Sequence, residues 1–384
     1  MLKKKIFVIG PLVPYTGGVA QSNTVLCNNL AQNNDVIAIS YSLMYPKFLY
    51  PGKKQIDGEY LKKTKFKQEF ILNTINPLSW IKILAMAGKQ KPDWIVFQWW
   101  HTYFFPSYFF ITIFSKLFYR TKINVVCHHV LPYEGGLAKK LIHIPLTKLF
   151  LGSVTHAVTL SESELAMLFK TLPKSNSHFM LENSFSYLLR PPVSKEMARK
   201  KLELPNKKIL LSFGAVRFYK GVEDLLEALS ILSKKRKDLF LVVAGAFWEP
   251  VETYEKLAIS LGIRDNVKFV NKYIPDEEVP FIFCSSDLVV LSHRSASQSA
   301  IPQLAFEYKV PMVATNVGGN NVYVDTGVSG FIIPPKNPKK MAEAIEKFFN
   351  KKLSSKFVAG MEIKKKMLDW SEDKEKLFFG EINS

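Results

Sequence analysis

"KKILLSFGAVRFYKGVEDLLEAL", residues 207–229, contains one full strand–loop–helix step. Ile209, Leu210 and Leu211 form a short apolar run of strand length that stops at Gly214. Val222, Leu225, Leu226 and Leu229 then recur at the three- and four-residue spacing of a helix with one apolar face. Between them lies a loop with Arg217 and Lys220 three residues apart, followed by Gly221. Cations at that point can clamp a diphosphate, the guanidinium bidentately and the ammonium as a point charge. A solvated charged loop is the plain alternative. Its place directly after a strand favours function, because open parallel sheets bind ligands beyond the carboxyl ends of their strands.

Working outward, the same step repeats. "LFLVVAGA" (239–246), "NVKFVNKY" (266–273), "DLVVLS" (287–292), "PMVATN" (311–316) and "GFIIPP" (330–335) read as further strands, with "PKKMAEAIEKFFN" (338–350) helical. In the first half "KIFVIG", "DVIAIS", "DWIVFQ", "INVVCHH" and "HAVTLS" alternate with helix-capable segments. Such alternation predicts parallel sheets covered on both faces, and its restart predicts two doubly wound domains. Pro191–Pro192 marks the expected border, giving domains 1–190 and 191–369.

At 384 residues and 47% hydrophobic side chains, the chain can bury two cores. Its net charge of +19 is uneven: residues 1–190 carry 22 Lys/Arg against 9 Asp/Glu, the remainder 30 against 24. A basic first half suits an anionic membrane surface, a phosphorylated lipid or a nucleic acid, or it reflects a lysine-rich proteome. Nucleic acid is set aside, because no zinc spacing, RNA-binding aromatic signature or Arg-clustered recognition helix is present. Cys27, Cys127 and Cys284 make neither a pair pattern nor a metal spacing, which points to a cytoplasmic protein. Lys3–Lys5 before "IFVIG" resembles a signal-peptide start, but Pro11 and Pro14 interrupt it, so a buried strand is expected. "YFFPSYFFITIFSKLFY" (103–119) is too short and interrupted to span a bilayer. It reads first as a core helix and second as a helix resting on the inner face of a membrane, flanked by Lys116, Arg120 and Lys122.

The remaining loops carry candidate chemistry. Gly17-Gly18 stands at a helix start, where free N–H groups favour an anion. His128, His129 and Glu134 share one loop after a strand and could bind or orient a substrate hydroxyl. Ser297, Gln298, Ser299 and Ala300 offer hydroxyls and amides for an anion nest, and Gly318-Gly319 permits close backbone approach. No Asp-x-Asp run would hold a divalent metal, so leaving-group stabilisation falls to Arg217 and Lys220.

Taken in order, "GGVAQ" (17–21), "CHHVLPYE" (127–134), "LSFGAVRFYKGVEDLLEAL" (211–229), "VVAGAFWEP" (242–250), residues 276–306 and residues 311–335 resemble the retaining, metal-independent glycosyltransferases of the two-domain GT-B fold. The resemblance implies two Rossmann-like α/β domains with a cleft between them. A last helix, 370–384, would cross back to the first domain. It implies a nucleotide-diphosphate sugar as donor, a glycan or lipid-linked hydroxyl as acceptor, and no cofactor. Carried over, Arg217 and Lys220 bind the diphosphate, Gly17-Gly18 closes over it, and His128 lies near the reacting sugar. Tyr273 and Ile274 lie along the base, while His129 and Glu134 face the acceptor.

Departures accompany the resemblance. The two Glu seven residues apart that usually hold donor sugar and ribose are replaced by Ala296 and Leu304. The usual Arg position is Ala215, and Val322 stands where a Glu often follows Gly-Gly. "RFYKG" with "SASQSA" resembles a variant branch associated with bacterial surface polysaccharides. Ser297, Gln298 and Ser299 are the expected substitutes for the missing acids; the other candidate is Glu307, one turn past Leu304, which would reach the ribose only if its helix is rotated or shifted. The alternative is a weakened GT-B protein that binds nucleotide or glycan without transfer. An NAD enzyme is disfavoured, since the first strand lacks a following G-x-G-x-x-G.

Overall fold

A computed structural model describes residues 3–15, 17–46, 49, 55–56, 64–131, 137, 139–174, 177–179, 190–295 and 301–381. The chain divides into two compact units, residues 1–183 with 370–384, and residues 184–369. The first unit runs β1 (Lys5–Ile9), α1 (Gly18–Leu30), β2 (Asp35–Leu43), β3 (Lys67–Asn73), α2 (Pro77–Gln90), β4 (Trp94–Trp99), α3 (Phe105–Tyr119), β5 (Lys122–Cys127), α4 (Ile144–Ser153), β6 (His156–Thr159), α5 (Glu162–Thr171) and β7 (Ser177–Phe179). The second begins with α6 (Lys195–Lys201), β8 (Lys208–Phe213), α7 (Val222–Ser233), β9 (Leu239–Ala244), α8 (Val251–Ser260) and β10 (Val267–Val270). It continues with α9 (Val279–Cys284), β11 (Leu288–Leu291), α10 (Ile301–Glu307), β12 (Met312–Thr315), α11 (Asn320–Tyr323), β13 (Gly330–Ile333), α12 (Pro338–Asn350) and α13 (Ser354–Leu368). A last helix, α14 (Glu372–Phe378), belongs to the first unit.

The first sheet has the order β3-β2-β1-β4-β5-β6-β7, with every pairing parallel. Alternate strand residues face opposite ways, and the cores divide accordingly. Phe7, Ile9, Ile95, Phe97 and Val125 meet Ile83 and Leu84 of α2, Tyr108 and Ile111 of α3 and Phe150 of α4. Ile6, Val8, Trp94, Val96 and Val126 meet Leu26 and Leu30 of α1 and Phe378 and Phe379 beside α14. Glu375 fixes the returning helix: it is fully buried and accepts from Asn34 Nδ2 at 2.8 Å and Asn33 Nδ2 at 3.4 Å. Asn124 Nδ2 also donates to the Phe378 carbonyl at 2.6 Å.

Strands β3 and β7 were not anticipated. β3, "KQEFILN", is a sheet edge whose side chains are mostly half-buried, so neither strict alternation nor an apolar run marks it. β7 is three residues long at the other edge.

The second sheet has the order β10-β9-β8-β11-β12-β13, again parallel throughout. Helix α7 forms because Val222, Leu225, Leu226, Leu229 and Leu232 make one apolar stripe, all of it buried. Each of those side chains stabilises the fold by about 1.5–3 kcal/mol through burial. In each unit the order reverses beside the first strand, between β1 and β4 and between β8 and β11. Open α/β sheets take ligands beyond the strand ends at such a reversal.

Candidate functional site

In the second unit the loops leaving β8 and β11 are bound into one cluster. Gly221 has φ +63°, and a Cβ there would stand 2.3 Å from the Ser292 carbonyl oxygen. Glycine therefore lets the Lys220 backbone lie against the exit of β11. Ser292 Oγ donates to the Lys220 carbonyl at 2.8 Å, and Arg294 N–H donates to the Tyr219 carbonyl at 2.7 Å. Asp224, in the first turn of α7, receives Arg294 through Nε at 3.0 Å and Nη2 at 2.6 Å. That bidentate pair ties the loop after β11 to the helix that follows β8.

The two expected cations occupy this cluster. Lys220 Nζ lies 3.1 Å from His293 Nε2. Burial, with the nearby Arg217 charge, lowers the Lys220 pKa to about 8. His293 is buried, and burial together with Lys220 pushes it down to about 3. The imidazole is therefore neutral, its Nε2 accepts from the ammonium, and Nδ1 carries the proton. Among the described residues Nδ1 finds no partner. The Arg217 guanidinium lies flat on Trp248, 3.4 Å from the ring centroid, and its Nε has no partner among the described residues. Stacking on the indole holds the guanidinium in place beside Lys220. The Trp248 main-chain N–H donates to the Val216 carbonyl at 3.0 Å, which ties the loop after β9 to the loop after β8.

The other expected donor contacts are less concentrated. Ile274 is buried and Tyr273 is exposed beyond β10, next to Asn271, whose side chain accepts from Phe247 N–H at 3.0 Å. Ser297, Gln298, Ser299 and Ala300 lie outside the described residues. Glu307 ends α10, and its Oε2 is held by Lys365 Nζ of α13 at 2.9 Å. The structure thus places Glu307 in an ion pair at the far end of that helix from the strand exits.

In the first unit Gly17, φ +108°, caps α1, and no atom of the described residues beyond their chain neighbours lies within 4 Å of where a Cβ on Gly17 or Gly18 would stand. His128 follows β5, and its Nε2 meets Gln98 Oε1 at 2.8 Å. A carbonyl oxygen can only accept, so Nε2 carries the proton and Nδ1 presents a lone pair. Burial, with His129 nearby, pushes the His128 pKa down to about 3 and keeps it neutral. Gln98 is fully buried on β4, and its amide fits because Gly10 has no side chain: a Cβ there would be 2.5 Å from Gln98 Cγ. The expected histidine cluster is divided. His129 turns toward Glu164 of α5, 3.5 Å away, and Glu164 also accepts from Val130 N–H at 2.8 Å. Glu134 lies outside the described residues.

Sequence reasoning missed His293, Arg294, Trp248 and Gln98 as site residues. His293 and Arg294 stand directly after β11, so position alone could have marked them. Gln98 interrupts the apolar run "WIVFQW", and a polar residue in a doubly covered strand is a signal. Trp248 carries no such mark. Among the described residues no group of three or more His, Cys, Asp or Glu is placed to hold a metal ion.

With this geometry in place, the class is defined: two doubly wound units in this order are the GT-B fold of glycosyltransferases. HepE of Anabaena, solved in complex with UDP, aligns with a TM-score of 0.71 at 16% identity over 97% of this chain and 98% of its own. Residues 194–366, within the second unit, are similar to the family described as Glycosyl transferases group 1. The alpha-D-kanosaminyltransferase of Streptomyces kanamyceticus is 29% identical over 153 residues, covering 40% of this chain and 39% of that enzyme. The spore coat protein SA of Bacillus subtilis is 25% identical over 299 residues, 75% of this chain and 70% of that protein.

Proposed function

We propose that the protein is a retaining glycosyltransferase that moves a sugar from a nucleoside-diphosphate sugar to a hydroxyl of a glycan or lipid-linked acceptor, in bacterial surface polysaccharide synthesis. The observation that carries the reading is the Arg217–Trp248 stack beside the Lys220–His293 pair, at the switch point of a glycosyl transferases group 1 domain. As the bond from the anomeric carbon to the diphosphate oxygen breaks, negative charge collects on that oxygen. A preoriented guanidinium and ammonium stabilise it there without a metal ion. The acceptor hydroxyl forms the new bond to the anomeric carbon, and its proton passes to the departing diphosphate oxygen. The neutral His128, with Nδ1 as an acceptor, suits a sugar hydroxyl rather than an anion. Relatives that bind UDP support a nucleotide donor.

The test is turnover. Purified protein is incubated with a panel of nucleotide sugars and acceptors, and release of nucleoside diphosphate is followed. Release that depends on Lys220 supports the reading, and silence across the panel counts against it. Leu304 in place of an acid, with Glu307 held by Lys365, favours a second reading: a protein that binds nucleotide without transfer. Saturable nucleotide binding with no turnover over a broad acceptor set would select it.

A further inference from the structure

Helices α2, α3 and α4 pack side by side on one face of the first sheet. Their inner sides enter the core, while their outer sides carry large apolar residues. Leu78 and Ile81 on α2, Leu117 and Phe118 on α3, and Leu141 and Leu149 at and before α4 are all exposed, Leu78 by 73% and Leu117 by 68%. Trp80 and Phe110, 5.6 Å apart, join α2 to α3 beneath them.

Charge on this face has one sign. The three helices and the π-helical turn Lys139–His143 contain no Asp or Glu. Lys82, Lys89, Lys116 and Lys148 are exposed among the apolar side chains. Where α2 and α3 end, Lys91, Arg120 and Lys122 line an open hollow with Trp94 and Tyr119. Among the described residues these three cations have no carboxylate partner. The hollow's two acids are engaged, Asp93 with the Lys5 N–H and Glu381 with Lys4.

We propose that the outer face of α2, α3 and α4 docks the protein on a bilayer that carries anionic lipid. The pattern of Leu, Ile and Phe among lysines is that of an interfacial surface, with apolar side chains in the acyl boundary and cations at the headgroups. A second copy of the chain fits poorly, because a two-fold contact would set this acid-free basic face against itself. Protein partners are disfavoured by the lysines, which protein interfaces deplete. No helix among the described residues is long and apolar enough to cross a membrane, so the contact is superficial. This inference stands on the first unit's surface alone and does not rest on the reading of the second.

The test is flotation of the full chain with vesicles of phosphatidylcholine, or phosphatidylcholine with about 30 mol % phosphatidylglycerol. Binding to the anionic vesicles is expected to exceed binding to the neutral ones by about tenfold or more, and to weaken in high salt. Leu117→Glu with Phe118→Glu is expected to reduce it by about tenfold. Leu141→Glu with Leu149→Glu, on the neighbouring helix, serves as an independent variant. Circular dichroism reports folding, and nucleotide affinity is expected to stay unchanged in both. Equal or no binding to the two vesicle types overturns the proposal. So do folded variants that bind like wild type, or a concentration-dependent dimer that the substitutions disperse.

Discussion

Lys220 is the residue on which the proposed chemistry turns, and its pKa of about 8 gives that chemistry a pH dependence. Below pH 8 the ammonium is charged and can meet a diphosphate. Above it the free enzyme loses that charge, so kcat/KM for the donor falls as pH rises through this value. Lys220→Ala is expected to lower kcat/KM by about 10²-fold and to flatten the profile over that range. A full pH–rate profile of both proteins measures this. His293 positions the ammonium, so His293→Leu is expected to raise donor KM more than it lowers kcat, with an unchanged thermal midpoint. The placement of Arg217 and Lys220 between a strand and a helix was legible in the sequence, as was that of Gly17-Gly18 at a helix start and of His128 after a strand. Glu307, one helical turn past Leu304 in sequence, pairs with Lys365. Spacing along a chain does not report which neighbouring helix supplies a partner.

At the scale of elements, the site depends on how α7 and the loop after β11 are locked together. Asp224 and Arg294 are both largely buried, at 9% and 14% side-chain exposure. Arg294→Ala leaves a carboxylate in low dielectric without its partner and is expected to destabilise the second unit by about 3 kcal/mol. Replacing both by Leu should recover much of that loss, and urea titration compares the variants. Gly221→Ala adds a left-handed residue and a clash with the Ser292 carbonyl. It is expected to cost about 1–3 kcal/mol and to lose donor binding as the two loops separate. Central strands were readable because double burial demands continuous apolar runs. Strand β3, mostly half-buried, and β7, three residues long, were not, since neither makes an apolar run, whereas the edge strand β13 does. Helix α3 has one buried and one exposed flank. Tyr108, Ile111 and Thr112 enter the core, while Leu117 and Phe118 face outward.

On the scale of the whole molecule, two restarted strand–helix series announced two doubly wound units, and the sheets have that order. The uneven charge announced a basic first unit, and Lys82, Lys89, Lys116 and Lys148 of that unit are exposed on helices that also expose Leu78, Leu117 and Leu149. What replaces the missing acids was not legible, because serines and glutamine hydrogen-bond in many geometries and no spacing rule fixes them. The central claim is sugar transfer from a nucleotide donor with the diphosphate held by Arg217 and Lys220. Its most direct test is proton NMR of the wild-type protein and Lys220→Ala with a nucleotide-sugar panel and acceptors, following the anomeric signal. The account predicts a glycoside with the donor's anomeric configuration for wild type and nearly none for the variant. An inverted product, no product from any donor, or undiminished transfer by a folded Lys220→Ala protein would contradict it.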